Sequence, residues 1–440
     1  MNFFKNSILS LFTRIFVYLL AICISIYIAR VLGPEARGAY SLLTQFVFIM
    51  VLFMDFGLQN ASVYFLGKGE KLGRIYPNII SLSLIRGVIA LAFLLLFLNF
   101  IKSTLLKNID LILILIVIFS IPFKILTEIS SSVILGINNI RLLNILKVVH
   151  SLLLLVTFAI FVIIFRLKLK GAILSFVFAE VFMVFVYLSI LSNWFKIYLR
   201  FDTTLIKQLL NYGLRGFLAT LLILLIFRLD FFLLNYFKDI KSVGFYSIAV
   251  SFAELLFLVP EVIGMILFPR LTSSNPKEVK ENTMRVLRIL FFILTIFTLF
   301  LYIFGSWIVR FIYGEQYIIS IPLLRILLPG FLMMSLYYIF FSYFFSKNKP
   351  EIVTFIIILT IIFKIILGII LIPLWGAKGA ALSSTFSYIF CAVTFIIIFL
   401  RHSKIAILDT FLIKSSDLQS LYNYFLEIWY LPNRQDSMPV

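Results

Sequence analysis

Charge is scarce in this chain: Asp, Glu, Lys and Arg together make up 13% of 440 residues. A soluble domain carries about twice that share. The deficit is filled by apolar residues at 63%, with a mean hydropathy of +1.14. Cysteine and histidine are almost missing. Cys23 and Cys391 both lie in apolar runs, which gives no support to a disulfide framework or a thiolate metal site. His150 and His402 are too few for a haem or zinc cluster. The sequence has no P-loop, no paired catalytic carboxylates, no Ser/His/Asp set and no metal-ligand spacing. These absences argue against direct drive by nucleotide hydrolysis, against a metal site and against a resident cofactor. The N-terminal apolar run 9–29 is long enough to span a bilayer and is followed by more of the same, so it reads as a first span and not as a cleaved signal.

What the chain does have is long apolar stretches. Runs of about 20 such residues are the mark of spanning helices. Twelve are expected, at 9–29, 39–66, 77–100, 110–135, 143–165, 171–191, 209–237, 244–268, 286–309, 321–346, 351–373 and 377–400. Six precede the polar link 192–208 and six follow it. An all-α membrane protein follows, with an N-terminal lobe over 1–200, a C-terminal lobe over 201–400 and a tail over 401–440. In that tail Leu418, Leu421, Tyr422, Phe425 and Trp429 keep helical spacing, which predicts a cytoplasmic amphipathic helix.

The two lobes carry the same signals. Gly38-Ala39-Tyr40-Ser41-Leu42 returns as Gly244-Phe245-Tyr246-Ser247-Ile248, about 206 residues later. Lys170-Gly171-Ala172-Ile173-Leu174-Ser175 returns as Lys378-Gly379-Ala380-Ala381-Leu382-Ser383, about 208 residues later. Two echoes in order at nearly one offset indicate a duplicated half. Even numbers of helices give the halves one orientation and a pseudo-two-fold axis along the membrane normal, with a cavity between them. Lys and Arg are more numerous in the connections on the N-terminal side, which puts both termini in the cytoplasm.

Several charges fall inside the spans. The basic ones are Arg14, Arg86, Lys124, Lys147, Arg215, Arg228, Arg288, Arg325 and Lys364. The acidic ones are Asp55, Glu128, Glu180, Asp230, Glu254 and Glu261. A central cation facing lipid costs roughly 2.5–3.5 kcal/mol, so the deep ones should face a watery interior or find partners. Lys124 and Glu128, at i and i+4, are placed to neutralise each other. Arg228 has Asp230 or Asp55 as a candidate partner. The cationic surplus within the spans favours an anionic cargo such as a phosphate or pyrophosphate head group. Tyr337, Tyr338 and Tyr343 are candidate sugar contacts, although aromatic residues serve packing and interfaces more often.

An ordered set of loose patterns resembles the Wzx-type polysaccharide (O-antigen) flippases, within the superfamily that also holds the multidrug and toxic compound exporters (MATE) and the lipid II flippases. The patterns are Ala29-Arg30-Val31-Leu32-Gly33-Pro34 before Gly38-Ala39-Tyr40-Ser41; Asp55-Phe56-Gly57-Leu58; Arg228-Leu229-Asp230 before Val243-Gly244-Phe245-Tyr246-Ser247; Phe268-Pro269-Arg270-Leu271; Tyr313-Gly314-Glu315-Gln316-Tyr317; and Gly376-Ala377-Lys378-Gly379-Ala380-Ala381. The resemblance implies a MATE-like bundle that alternates between inward- and outward-open forms. Its cargo would be an undecaprenyl-pyrophosphate-linked oligosaccharide crossing the bacterial inner membrane, with no nucleic acid involved. A polysaccharide polymerase and a chain-length regulator would be its partners. Arg14, Arg86, Lys124, Arg215, Arg228 and Lys364 are the positions mapped to the cargo's charge. Asp55, Asp230 and Glu254 are mapped to coupling with a proton or sodium gradient. An ion-coupled drug or metabolite antiporter of the same fold is the alternative, disfavoured by the basic surplus. A membrane polymerase or ligase would want a large outward loop, and the longest outward connection is the short 310–320.

Overall fold

The computed structural model describes residues 2–194, 201–273 and 275–403. The expected tail helix lies outside them. Among the described residues helix dominates and no strand occurs. Eleven stretches of the described residues are long and apolar enough to cross a membrane, and the chain is a multi-pass membrane protein.

The first of these stretches accounts for the difference from the expected twelve. Residues Phe12–Phe53 run as 42 helical residues, formed by α1 (Asn2–Tyr27), a π-helical turn (Ile28–Leu32) and α2 (Gly33–Phe53). Such a run would measure about 63 Å if straight, at 1.5 Å per residue, against a hydrocarbon core of about 30 Å. Gly33, at φ 84°, stands between its two parts, with Pro34 opening α2. That backbone conformation is open to glycine at little cost, and proline is suited to a first turn.

The chain continues through α3 (Leu58–Gly67), α4 (Leu72–Leu96), the single turn α5 (Leu98–Phe100), α6 (Leu111–Gly136), α7 (Ile140–Phe158) and α8 (Lys168–Ser192). After the link come α9 (Thr203–Phe237), α10 (Ile240–Ala253), α11 (Leu258–Ser273), α12 (Pro276–Tyr313), α13 (Ser320–Ser335), α14 (Tyr337–Ser346), α15 (Pro350–Trp375) and α16 (Ala377–Ser403). Side chains cap helix starts in the same way at α7, α9, α10 and α12. Asn139 accepts from the Leu142 amide and Asp202 from the Leu205 amide, each at 3.1 Å, Asp239 from the Ser242 amide at 2.7 Å and Asn275 from the Glu278 amide at 3.0 Å. The sequence Asp55-Phe56-Gly57 separates α2 from α3, with both Phe56 (φ 49°) and Gly57 (φ 74°) in the left-handed region.

The molecule packs as two compact units. One runs from the N-terminus to Phe252 and takes in Ser306–Leu327 and Ile357–Ser384; the other comprises Ala253–Gly305, Leu328–Ile356 and the chain from Thr385 on. In the first, α6 is the central helix, packed on α2, α3, α4, α7 and α8. The second is built on α11 against α14. There the Ser342 hydroxyl donates to the Gly264 carbonyl at 2.9 Å, and Phe257 stacks on Phe331.

The duplication is visible atom by atom in the larger unit. A Cβ on Gly38 would lie 2.0 Å from the Ile240 carbonyl oxygen, and a Cβ on Gly244 would lie 2.0 Å from that of Pro34. The spacing between Pro34 and Ile240 equals that between Gly38 and Gly244, so α2 and α10 cross in a self-complementary contact, as two-fold symmetry requires. The second echo behaves alike. Gly171 abuts the Phe161 carbonyl and Gly379 the Leu371 carbonyl, each helix start lying against the end of the helix before it. The turns into α7 and α15 also match. Asn138 and Asn348 both take positive φ (59° and 55°), and each amide bonds the carbonyl three residues back, at 2.9 Å to Leu135 and 3.1 Å to Phe345.

Candidate functional site

Three charge clusters occupy the interior of the larger unit. The first closes the α2–α3 break. Arg86 of α4, 4% exposed, donates to the Met54 carbonyl at 2.6 Å, the Asp55 carbonyl at 3.0 Å and the Ser83 hydroxyl at 2.6 Å. The carbonyls freed where a helix ends need donors, and a guanidinium supplies several in a fixed fork. The Asp55 carboxylate lies 3.9 Å from Arg86 and accepts from the Gln59 amide at 3.3 Å, at the start of α3. Cation and anion thus serve opposite ends of one break.

The second cluster joins α9, α10, α15 and α16. Lys364 is fully buried, with its ammonium 2.7 Å from Asp230 Oδ2. It also donates to the Ile226 carbonyl and, at 3.0 Å, to Ser384. Asp230 Oδ2 further accepts from the Tyr246 hydroxyl at 3.0 Å and from Ser384. Tyr246 belongs to the second copy of the repeated motif, and Ser384 follows the other echo. The duplicated segments therefore build this ion pair's surroundings.

The third cluster sits in the middle of three spanning helices. Lys124 of α6 bridges Glu180 of α8 at 2.9 Å and Glu128 of its own helix at 3.0 Å. Glu180 is fully buried. It accepts from the Thr127 hydroxyl at 3.0 Å and meets the His150 ring Nε2, on α7, at 3.1 Å. The i, i+4 pairing of Lys124 with Glu128 is present as expected. Glu180 and His150 are its unexpected members. A histidine in mid-span, among so few polar residues, was the available signal.

The other expected positions are spread out. Arg14 is half-buried in α1, Arg215 is exposed on α9, and Arg228 is half-buried two residues before Asp230. Glu254 begins a 3₁₀ turn in the smaller unit and is half-buried. Of the tyrosines, Tyr337 and Tyr343 are buried there against Phe395 and Phe399. A cleft of about 550 Å³ opens where α2, α6 and α10 begin, lined by Glu35, Asp110, Asp239 and Lys241 among others. Among the described residues no group of three or more His, Cys, Asp or Glu is placed to hold a metal.

Such an interior, of paired charges within apolar helices, has relatives. A family model for polysaccharide biosynthesis proteins matches residues 3–275. The chain belongs to that family. It is 27% identical over 395 residues to a putative O-antigen transporter of Shigella flexneri, covering 87% of this chain and 94% of the relative. It is 23% identical over 378 residues to an uncharacterized membrane protein of Methanocaldococcus jannaschii, covering 80% of this chain and 75% of that one. Among solved structures, the lipid II flippase MurJ in an inward closed conformation superposes with a TM-score of 0.76 at 18% identity, over 97% of this chain and 99% of MurJ. An inward-facing multidrug resistance MATE transporter superposes at 0.74 with 16% identity, over 88% and 94%. The fold of this family member is accordingly that of the MATE and MurJ transporters, as the resemblance to Wzx-type flippases implied.

Proposed function

We propose that this family member is a flippase. It carries an undecaprenyl-pyrophosphate-linked oligosaccharide from the inner to the outer leaflet of the bacterial cytoplasmic membrane by alternating access, with both termini in the cytoplasm. The observation that carries the reading is the likeness to a putative O-antigen transporter along nearly the whole of both chains. Lys124, Arg14, Arg215 and Arg228 are the cations assigned to the pyrophosphate. Lys124 keeps 18% of its side chain exposed despite two carboxylate partners. Arg86 and Lys364 are assigned to holding helices, because Arg86 directs three hydrogen bonds to two carbonyls and a hydroxyl, and Lys364 directs its ammonium to a carbonyl, a hydroxyl and a buried carboxylate. The released repeat unit would pass to a polysaccharide polymerase and its chain-length regulator. Coupling to an ion gradient by Asp55, Asp230 or Glu254 belongs to the same reading, with Asp55 and Asp230 each already beside a basic residue.

Purified protein in proteoliposomes, given a fluorescent polyprenyl-pyrophosphate glycan on one leaflet, should move it to the other. An Arg14→Gln/Arg215→Gln/Arg228→Gln triple variant should not. Full transfer by that variant would refute the assignment of these arginines, and no transfer by wild type would refute the flippase. The MATE fold keeps an antiporter as the second reading, and extrusion of a cationic dye against a proton gradient would favour it.

A further inference from the structure

Histidine is the side chain whose charge normally changes between about pH 5 and 8. His150 lies in mid-span with 27% of its side chain exposed, while its Nε2 touches a fully buried carboxylate. Glu180 Oε1 also receives the Lys124 ammonium, and an ionised carboxylate only accepts. Nε2 therefore carries the ring's proton when the imidazole is neutral, and Nδ1 remains the site for another. The following groups face this cluster among the described residues. On α6 they are Lys124 and Glu128, on α7 His150, and on α8 Glu180 and Tyr187. Of the helices packed on these, α1 carries Arg14 and α4 carries Arg86, the latter directed to the α2–α3 break beside Asp55. Lys147 lies on the exposed side of α7.

The balance of charge gives this geometry a consequence. With His150 neutral, one ammonium and two carboxylates leave the cluster at a net −1, and Lys124 is held between Glu180 and Glu128. One proton on His150 brings the cluster to zero. Glu180 is then satisfied by an imidazolium at 3.1 Å and has less need of Lys124. The ammonium has three donors, two already directed at the two carboxylates.

We propose that His150 is a proton-binding site of this transporter, and that its protonation frees Lys124 to take an anionic oxygen of the cargo's pyrophosphate. This rests on the flippase reading and adds a direction to it. Cargo binding takes up a proton, and acid conditions tighten cargo binding, because coupling between two ligands is reciprocal.

The test uses the full chain in nanodiscs with farnesyl-pyrophosphoryl-N-acetylglucosamine. Its pyrophosphate is a diester, so its charge does not change across this pH range. Wild type should bind about tenfold more tightly near pH 5.5 than near pH 8, within the usual range of coupling between two sites. Calorimetry in two buffers of different ionisation enthalpy should register proton uptake with each probe bound. His150→Gln keeps a donor toward Glu180 but accepts no proton, and should bind with one affinity at both pH values. Wild-type binding that is independent of pH, without proton uptake, overturns the proton site and leaves the flippase standing. A His150→Gln variant that keeps the pH dependence overturns the residue assignment. No wild-type binding at any pH overturns both readings. The wild-type calorimetry still overturns the proposal, by showing no proton uptake, even if the variant does not fold.

Discussion

Alanine at Gly38 should damage this protein although alanine favours helix. At an unobstructed helical position the exchange stabilises by about 0.8–1.0 kcal/mol. Gly216 of α9, with nothing within 4 Å of an added Cβ, is such a position. At Gly38 the added carbon would lie 2.0 Å from the Ile240 carbonyl oxygen and 2.9 Å from the Gly244 nitrogen, both backbone atoms. Backbone cannot rotate away as a side chain does. The two helices must part by about 1 Å or more, giving up close packing along their crossing at a cost of about 1–3 kcal/mol. The sign of the effect thus reverses between two glycines of the same fold. Cys391, buried in the folded protein, reports unfolding by its reaction with a thiol dye, in a Cys23→Ser background. Gly38→Ala should lower the midpoint of heat unfolding, and Gly216→Ala should leave it unchanged or raise it. Gly244→Ala should act like Gly38→Ala. The double substitution should cost less than the two singles together, because helices already parted have less to lose. A Gly38→Ala protein as stable as wild type, or strict additivity with Gly244→Ala, would refute the reasoning.

Other outcomes follow from the ion pairs and turns. Lys364→Met strands the buried Asp230 carboxylate and should destabilise by about 3–5 kcal/mol, read as a loss of folded yield; Asp230→Asn in the same chain should restore much of it. Arg74 donates to Asp202 through Nε at 3.1 Å and Nη2 at 3.0 Å, with the arginine 40% exposed. Arg74→Gln should therefore cost no more than about 1 kcal/mol, and the difference from wild type should shrink in high salt. At Asn138 and Asn348 the left-handed backbone should tolerate glycine and oppose valine by about 1–2 kcal/mol, equally in both turns, as measured by the same dye assay.

The architecture was legible because its signals are long. Twenty-residue apolar runs and two ordered echoes leave little freedom in the reading of a duplicated helical bundle. What was not legible is that helix runs on through the polar gap 30–38 between the expected spans 9–29 and 39–66: charge, Gly33 and Pro34 mark a connection in composition, yet a π turn carries the backbone straight into α2. The site was legible only in part. Lys124 with Glu128 follows from spacing along one helix, whereas Glu180 and His150 reach them from two others, and no periodicity relates helices in space. The same limit hid the partner of Asp230: Arg228 stands two residues away in sequence, yet Lys364 closes the pair across the fold. Arg86 could be read as a deep cation but not as the donor that completes a broken helix, because that duty exists only once α2 ends at Phe53.

The crossing of α2 and α10 bears on how such a chain could arise. Its reciprocal glycine–carbonyl contacts are those that two copies of a half-length polypeptide would make across a homodimer axis. Fusing the copies let each side change separately, and the lone mid-membrane histidine and the lysine at 364 are residues that only one half carries.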